Sequence, residues 1–523
     1  MNYDHIILTL IVFFPLAGAI VLALLPDRGR TMEWGALLVA LATFGLTLHL
    51  PFHYVYAGQA GFQFEQNIPW IASPAIRYHV GVDGLSMWLI VLTGFLAPLG
   101  VLISWRAISG RKKLFYVLFL LQQVAMLGIF ASLDMLVYYA FWELSLVPMT
   151  ILIATFGRTE KRRRAAIKYF LYAFIPSALL LVAMLWVYAQ TFTFDVPTLL
   201  LHAANHKIST NGTALWLASL AFLLAFAVKT PVFPLHGWLG DAIFEGPTAA
   251  IMILAGKTAL YSMLRFSFGL FPAESHRIAP LMIALGAVGI IYGALLALVQ
   301  VDLKRLAAYS TLAHLSFIIV GIFSFTVAGL NGGMYQILNE SLAGAAFFML
   351  LGLLYERYGT YDLREYGGLA ARLPWIVTMF VITGLAMVGL PMLNGFIGEF
   401  LILSGSMQTS FVHHLFWTVV ATLGVILSAA YVLTMIQRIF YSDLGPKPAA
   451  VAGWDLDARE HVALWPMVVL FLVMGVAPNL WLRTIDTVAS PMASRPAAPS
   501  VNANGLVGQI SDAREASLAG GPR

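Results

Sequence analysis

The chain contains no cysteine. Disulfides, thiolate-bound zinc, iron–sulfur clusters and cysteine nucleophiles are therefore excluded from it, and any electrons it is coupled to must run through other chains. Charge is scarce as well: 11% of the 523 residues are Asp, Glu, Lys or Arg, against 60% hydrophobic. A water-facing shell normally takes about a quarter charged residues, so a soluble globular body is excluded. The net charge of +5 is small and spread through short loops, which argues against a nucleic-acid partner. Apolar stretches take the place of polarity, and many exceed the ~20 residues that cross a bilayer as a helix. In lipid the backbone must satisfy its own hydrogen bonds, and continuous runs such as Leu281 to Val299 lack the alternation of a β-barrel strand. The first run, Ile6 to Leu25, is long enough to stay as a helix instead of leaving as a signal peptide.

The pattern predicts an all-α polytopic membrane protein of about fourteen transmembrane helices. Their cores are 4–25, 34–54, 84–105, 114–132, 135–156, 166–191, 213–233, 247–271, 278–300, 306–325, 331–355, 374–404, 413–438 and 462–482. Loops after odd-numbered helices hold 20 of the 30 Lys and Arg, among them Arg158, Lys304 and Arg357; loops after even-numbered helices hold 4, including Arg265. The positive-inside rule then sets both termini outside the cytoplasm, in a bacterial inner membrane. The seventh helix is interrupted at Lys229-Thr-Pro231 and the twelfth around Pro391 and Asn394-Gly395, five helices apart. An odd offset inverts the topology, as two inverted five-helix repeats require, and paired breaks of this kind point to an ion site near the midplane. The expected division is N-terminal helices over 1–110, a first repeat over 111–271, a second over 272–440, a last helix over 441–482 and a disordered tail over 483–523.

A charge at the bilayer centre costs roughly 2.5–3.5 kcal/mol, so each buried ionisable residue needs a reason. Glu143 stands mid-helix in Ala140-Phe-Trp-Glu-Leu-Ser145. Lys229 sits where Pro231 and Pro234 strip backbone donors and open the seventh helix; its bland role is an inert counter-ion to Glu143. Lys257 lies too deep in the eighth helix to snorkel, unless Glu245 is its partner. His314 on the tenth helix is a natural relay near neutral pH. Glu340 on the eleventh either relays or bonds to Asn339 or Ser341, and Glu399 follows the second break with access to water. In helix order these six residues form a string of acids and bases able to pass protons through bridging water.

Ala225-Phe-Ala-Val-Lys-Thr-Pro, Pro234-Leu-His-Gly-Trp-Leu239 and Asp302-Leu-Lys-Arg-Leu-Ala-Ala-Tyr-Ser310 resemble signature segments of the antiporter-like proton-translocating subunits of respiratory complex I. Gly81-Val-Asp-Gly-Leu-Ser86, the Phe-Trp-Glu-Leu stretch and Asn394-Gly-Phe-Ile-Gly-Glu399 are similar to the subunit M branch, the counterpart of the mitochondrial chain 4. The resemblance implies a subunit of an NADH:quinone oxidoreductase with no cofactor of its own. Flavin, iron–sulfur clusters and quinone would sit in partner subunits, and other membrane-arm subunits would be its neighbours. It implies Glu143 and Lys229 as a coupled pair, Lys257 as central relay and Glu399 as exit group. The sequence departs from the family at Glu340-Ser-Leu342, where His-Gly-Leu is usual, at Gly240 in place of a proline, and in a shortened 247–257 stretch. Related readings on the same fold are a subunit of a multi-chain sodium/proton antiporter or of a membrane-bound hydrogenase, and a different one is a scaffold whose buried charges are inert.

Overall fold

The computed structural model of the protein describes residues 3–56, 61–209, 211–254, 257–450 and 453–494. Among the described residues thirteen helices, from Ile7–Leu24 to Ala458–Val476, are long and apolar enough to cross a membrane. Another crossing is made by two half-helices, Pro374–Met387 and Asn394–Gln408, at the twelfth position. The spans used below are the second (Thr31–His53), third (Ser86–Ala107), fifth (Met135–Phe156), sixth (Arg162–Thr191), tenth (Leu303–Phe323) and eleventh (Val327–Tyr358). The eighth runs as Thr248–Leu254 and from Lys257 to Leu270. Burial sorts them: 94% of the most apolar window is enclosed in the tenth and eleventh spans, against 33% in the second and sixth. The former build the core, and the latter turn residues such as Ile167, Ile175 and Val182 to lipid. Because lipid is as apolar as leucine, packing and polar contacts hold the spans together, not a hydrophobic drive between them.

Two breaks organise the interior. The first half of the seventh span ends at Lys229, Pro231 adopts φ +29°, and the chain resumes as Leu239–Glu245. In the twelfth span the chain leaves the helix after Met387, passes Gly389 at φ +74° and Met392 at φ +76°, and resumes at Asn394. Further features recur five spans apart. Asp134, capping the fifth span, bridges to Asp195, as Asp302, capping the tenth, bridges to Asp362. Wider π-helical turns occur at Met263–Ser267 in the eighth span and Gln437–Tyr441 in the thirteenth.

Several details depart from the sequence reading. The link between the second and third spans is an antiparallel hairpin of β1 (Gln63–Ile71) and β2 (Ile76–Val82), unexpected because Asn67 and Pro69 interrupt the strand pattern. It marks one side of the protein, the hairpin face; the side carrying most loop cations is called the basic face. Residues 483–493, assigned to a disordered tail, belong to the helix Asn479–Ala493. Ile485, Ala489 and Met492 bury one side of it, and Asp486 accepts from Asn331 at 2.7 Å. The remaining tail residues, 495–523, lie outside the described residues. Three cations counted as loop residues are buried: Arg265 beside Asp83, Lys304 donating to the Gly246 carbonyl, and Arg357 beside Glu460.

Candidate functional site

The fifth span kinks at Ser145, between Met135–Leu144 and Leu146–Phe156, and that kink meets the break in the seventh. Lys229 Nζ donates to Ser145 Oγ at 2.8 Å and stands 3.7 Å from the Trp142 ring centroid, a cation–π contact. Trp142 Nε1 donates to Ser177 Oγ at 3.1 Å, and Ser177 donates to Glu143. The expected Glu143–Lys229 pair is therefore joined through Trp142, Ser145 and Ser177 and not by direct contact. Glu143 is half-buried on the rim of the bundle, whereas Lys229 is enclosed. The break itself is paid back locally, since Trp238 Nε1 takes up the Val228 carbonyl at 2.8 Å.

Lys257 lies roughly 20 Å along the eighth span from its end at Leu270 at 1.5 Å per residue, well inside the span. It is buried at 2% exposure, and its Nζ has no hydrogen-bond partner among the described residues. Glu245, its alternative partner, instead accepts from the backbone N–H of Thr159 at 2.9 Å and from the Thr159 hydroxyl. A lone buried ammonium is costly, and water is the partner such a group ordinarily finds. The shortened 247–257 stretch includes residues 255–256, which lie outside the described residues. Gly240, in the second half of the seventh span, faces the Tyr309 ring.

The third cluster joins the tenth, eleventh, twelfth and thirteenth spans. His314 Nδ1 stands 3.9 Å from Glu340 Oε2, and both are buried. Tyr431 contacts His314 Nε2 at 3.2 Å and Ser310 Oγ at 2.8 Å. Glu340 does not bond to either chain neighbour: Asn339 donates to Gln336 and to the Asn394 carbonyl, and Ser341 donates to the Ile337 carbonyl. Glu399 is 7% exposed and its carboxylate lies against Gly389, inside the second break. The side-chain N and O of Asn394 are buried without partners among the described residues, which leaves sites for ordered water beside Glu399.

The structure thus gathers the six sequence-selected residues into Glu143 with Lys229, Lys257 alone, and His314 with Glu340, with Glu399 at the second break. Sequence reasoning missed the connecting groups Ser177, Ser145 and Tyr431. Ser145 was within reach, since it follows Glu143 by two residues and precedes Pro148; Tyr431 had no local signal. Among the described residues no group of three His, Cys, Asp or Glu side chains is placed to hold a metal. Within the first and third clusters hydroxyls, carboxylates, an amine and an imidazole stand at hydrogen-bond distance or within 4 Å of one another, which suits proton transfer.

Comparison with known proteins bears on this geometry. The model of the NADH:quinone oxidoreductase/Mrp antiporter transmembrane family matches residues 132–427, a stretch holding all six residues. NADH-quinone oxidoreductase subunit M of Rhodobacter capsulatus is 37% identical over 489 residues, 91% of this chain and 94% of that protein. NADH-ubiquinone oxidoreductase chain 4 of Marchantia polymorpha is 34% identical over 485 residues, 92% of this chain and 95% of the other. A chain of respiratory complex I from Thermus thermophilus with bound NADH has a TM-score of 0.83 at 32% identity, covering 93% of this chain and 99% of that one. A chain of the Mrp complex from Dietzia sp. DQ12-45-1b, at TM-score 0.81 and 20% identity, covers 95% and 99% and shares the fold. This chain, a multi-pass membrane protein with two broken helices, belongs to the NADH:quinone oxidoreductase/Mrp antiporter transmembrane family.

Proposed function

We propose that this protein is a proton-translocating membrane-arm subunit of a complex I-type NADH:quinone oxidoreductase. The observation that supports the reading is a set of six ionisable groups on membrane-crossing helices, five of them buried and two of them at the helix breaks. Relatives named subunit M and chain 4 over nine-tenths of the chain support it. Electron transfer belongs to partner subunits holding flavin, iron–sulfur clusters and quinone, and this chain has no redox site of its own. Other membrane-arm subunits and the bilayer are its surroundings, and protons and water its cargo.

Glu143 at the rim receives the signal from a neighbour. A change in charge there alters the field at Lys229, through Trp142 and the two serines, and Lys229 exchanges its proton with water in the break. Lys257 relays between the halves, His314 and Glu340 share the next proton, and Glu399 releases it beside Gly389. The two repeats take in residues 111–271 and 272–440, flanked by N-terminal helices over 1–110 and a last helix over 441–482. The basic face is cytoplasmic and both termini lie outside, in a bacterial inner membrane.

The test is NADH-driven ΔpH in inverted vesicles carrying the assembled complex. Glu143→Gln should cut pumping by about tenfold or more, a loss of general acid–base function, while the protein stays assembled. Wild-type pumping in that variant would sink the pair mechanism. An antiporter subunit would instead form ΔpH from an imposed sodium gradient without NADH, and an inert scaffold would tolerate Lys229→Ala and Glu143→Ala together.

A further inference from the structure

The Gly81-Val-Asp-Gly-Leu-Ser86 motif has no place in the pathway above, yet it ends at the span that carries Lys257. Asp83 Oδ1 accepts from the backbone of Leu85 and Ser86, at 3.1 and 2.9 Å, and so starts the third span. Its other oxygen accepts from Arg265 Nη2 at 2.6 Å, and both side chains are buried. Arg265 is on the eighth span, eight residues and roughly 12 Å beyond Lys257 towards the hairpin face. Between them is Tyr261, one helical turn from each and on the same side. Arg265 Nε donates to the Tyr261 hydroxyl at 3.2 Å, and that hydroxyl is turned to the Phe130 carbonyl at 3.3 Å. Past Asp83 and Arg265 lies a crevice of about 150 Å³, bordered by Phe62 and by Thr487 and Met492 of the C-terminal helix.

Lys257, Tyr261, Arg265 and Asp83 thus form a polar column from well inside the span to the hairpin face. Tyr261 puts a hydroxyl one helical turn from Lys257 on the way to the hairpin face, and that hydroxyl is held by the guanidinium. Arginine does not give up its proton, so it cannot pass one on, and its fixed charge repels an approaching hydronium. A buried ion pair adds little net stability over an apolar replacement, so stability alone does not account for placing it here. We infer that Arg265, positioned by Asp83, is an electrostatic seal that stops protons on Lys257 from escaping straight to the hairpin face. The inference rests on the reading of Lys257 as a proton relay. Sealed at this end, Lys257 can pass its proton only sideways to the second half of the chain.

The experiment measures passive leak, with no NADH present. Inverted vesicles carrying the whole complex receive an acid pulse, and ΔpH decay is followed by a fluorescent probe. Arg265→Gln should speed decay at least about fivefold, because the fixed charge is gone and Tyr261 is released. Adding Lys257→Met should return decay to the wild-type rate by removing the column's inner end. Wild-type decay in assembled Arg265→Gln overturns the inference, as does a leak that persists with Lys257→Met. If Arg265→Gln does not assemble, the double variant Arg265→Gln with Asp83→Asn, which removes the charge without stranding a carboxylate, is read in its place by the same two criteria. NADH-driven pumping of the Lys257→Met single variant is scored separately. Normal pumping there refutes the relay reading, whereas unchanged leak in the arginine variant refutes only the seal.

Discussion

Replacing Gly389 by alanine perturbs the second helix break at one point. Gly389 has φ +74°, where an L-residue costs about 1–2 kcal/mol. A methyl group there would also stand 2.9 Å from Glu399 Cδ and closer still to Oε2, inside the 3.0 Å that real Cβ atoms respect. Restoring ordinary contact moves the carboxylate by about 1 Å, and misplacement on that scale can lower a rate by about 10²-fold. Glu399 is 7% exposed and has little room to move. The paired control is Gly359→Ala: φ is +70°, so the backbone strain is the same, but nothing lies within 4 Å of the added methyl. NADH-driven ΔpH, divided by the amount of assembled complex, should fall by one to two orders of magnitude in Gly389→Ala and stay near wild type in Gly359→Ala. Equal pumping by both variants would refute the placement of Glu399 in the pathway; equal loss in both would assign the effect to strain alone.

Two further outcomes follow from groups outside the pathway. Arg357 and Glu460 form an ion pair at 2.6 Å with both side chains fully enclosed, so Arg357→Met strands a carboxylate. The loss should be about 3 kcal/mol, at the lower end for a broken buried pair because Arg459 still reaches Glu460 at 3.1 Å, and it is read as a lower midpoint for thermal aggregation of the solubilised complex. On the hairpin, burial lowers the His79 pKa, but hydrogen bonds to Asp195 at 2.7 Å and Glu65 at 3.0 Å outweigh it and the net shift is upward. Burial raises the Asp195 pKa, but the His79 and Thr198 bonds leave it lowered. The histidine's contribution is complete below its ordinary pKa and is lost as pH rises through the raised value; the aspartate's is complete above its ordinary pKa and is lost as pH falls through the lowered one. Hydrogen-exchange protection of residues 63–82, corrected for intrinsic rates, should therefore weaken as pH rises above the ordinary histidine range, and His79→Gln should flatten that dependence. A pH-independent wild type would contradict the assignment.

The local composition of the chain was enough for its spans, its two breaks and its buried ionisable residues. The cost of leaving polar backbone or charge in hydrocarbon is large and depends on neighbours within a helical turn or two. Pro231 removes a donor wherever it stands in a helix, and Glu340 is out of place in an apolar run whatever packs against it. What the residues touch is another matter. That Lys229 reaches Ser145 and not Glu143, that Glu340 faces His314, and that Arg265 and Lys304 lie inside the protein all depend on helices distant in sequence. The Asp83–Arg265 contact joins residues 182 positions apart. The C-terminal helix was misjudged for the same reason: Asn479–Ala493 is too short and too mixed in polarity to read as a span, and it gains its order from Asn331 and from the side of the bundle it covers. So the six ionisable residues could be singled out from sequence, because the bilayer penalises each of them singly. Their grouping, the serines and tyrosine that connect them and the arginine at the end of the eighth span came only from tertiary packing, because hydrogen bonds between spans are selected by geometry and leave no periodic trace in the chain.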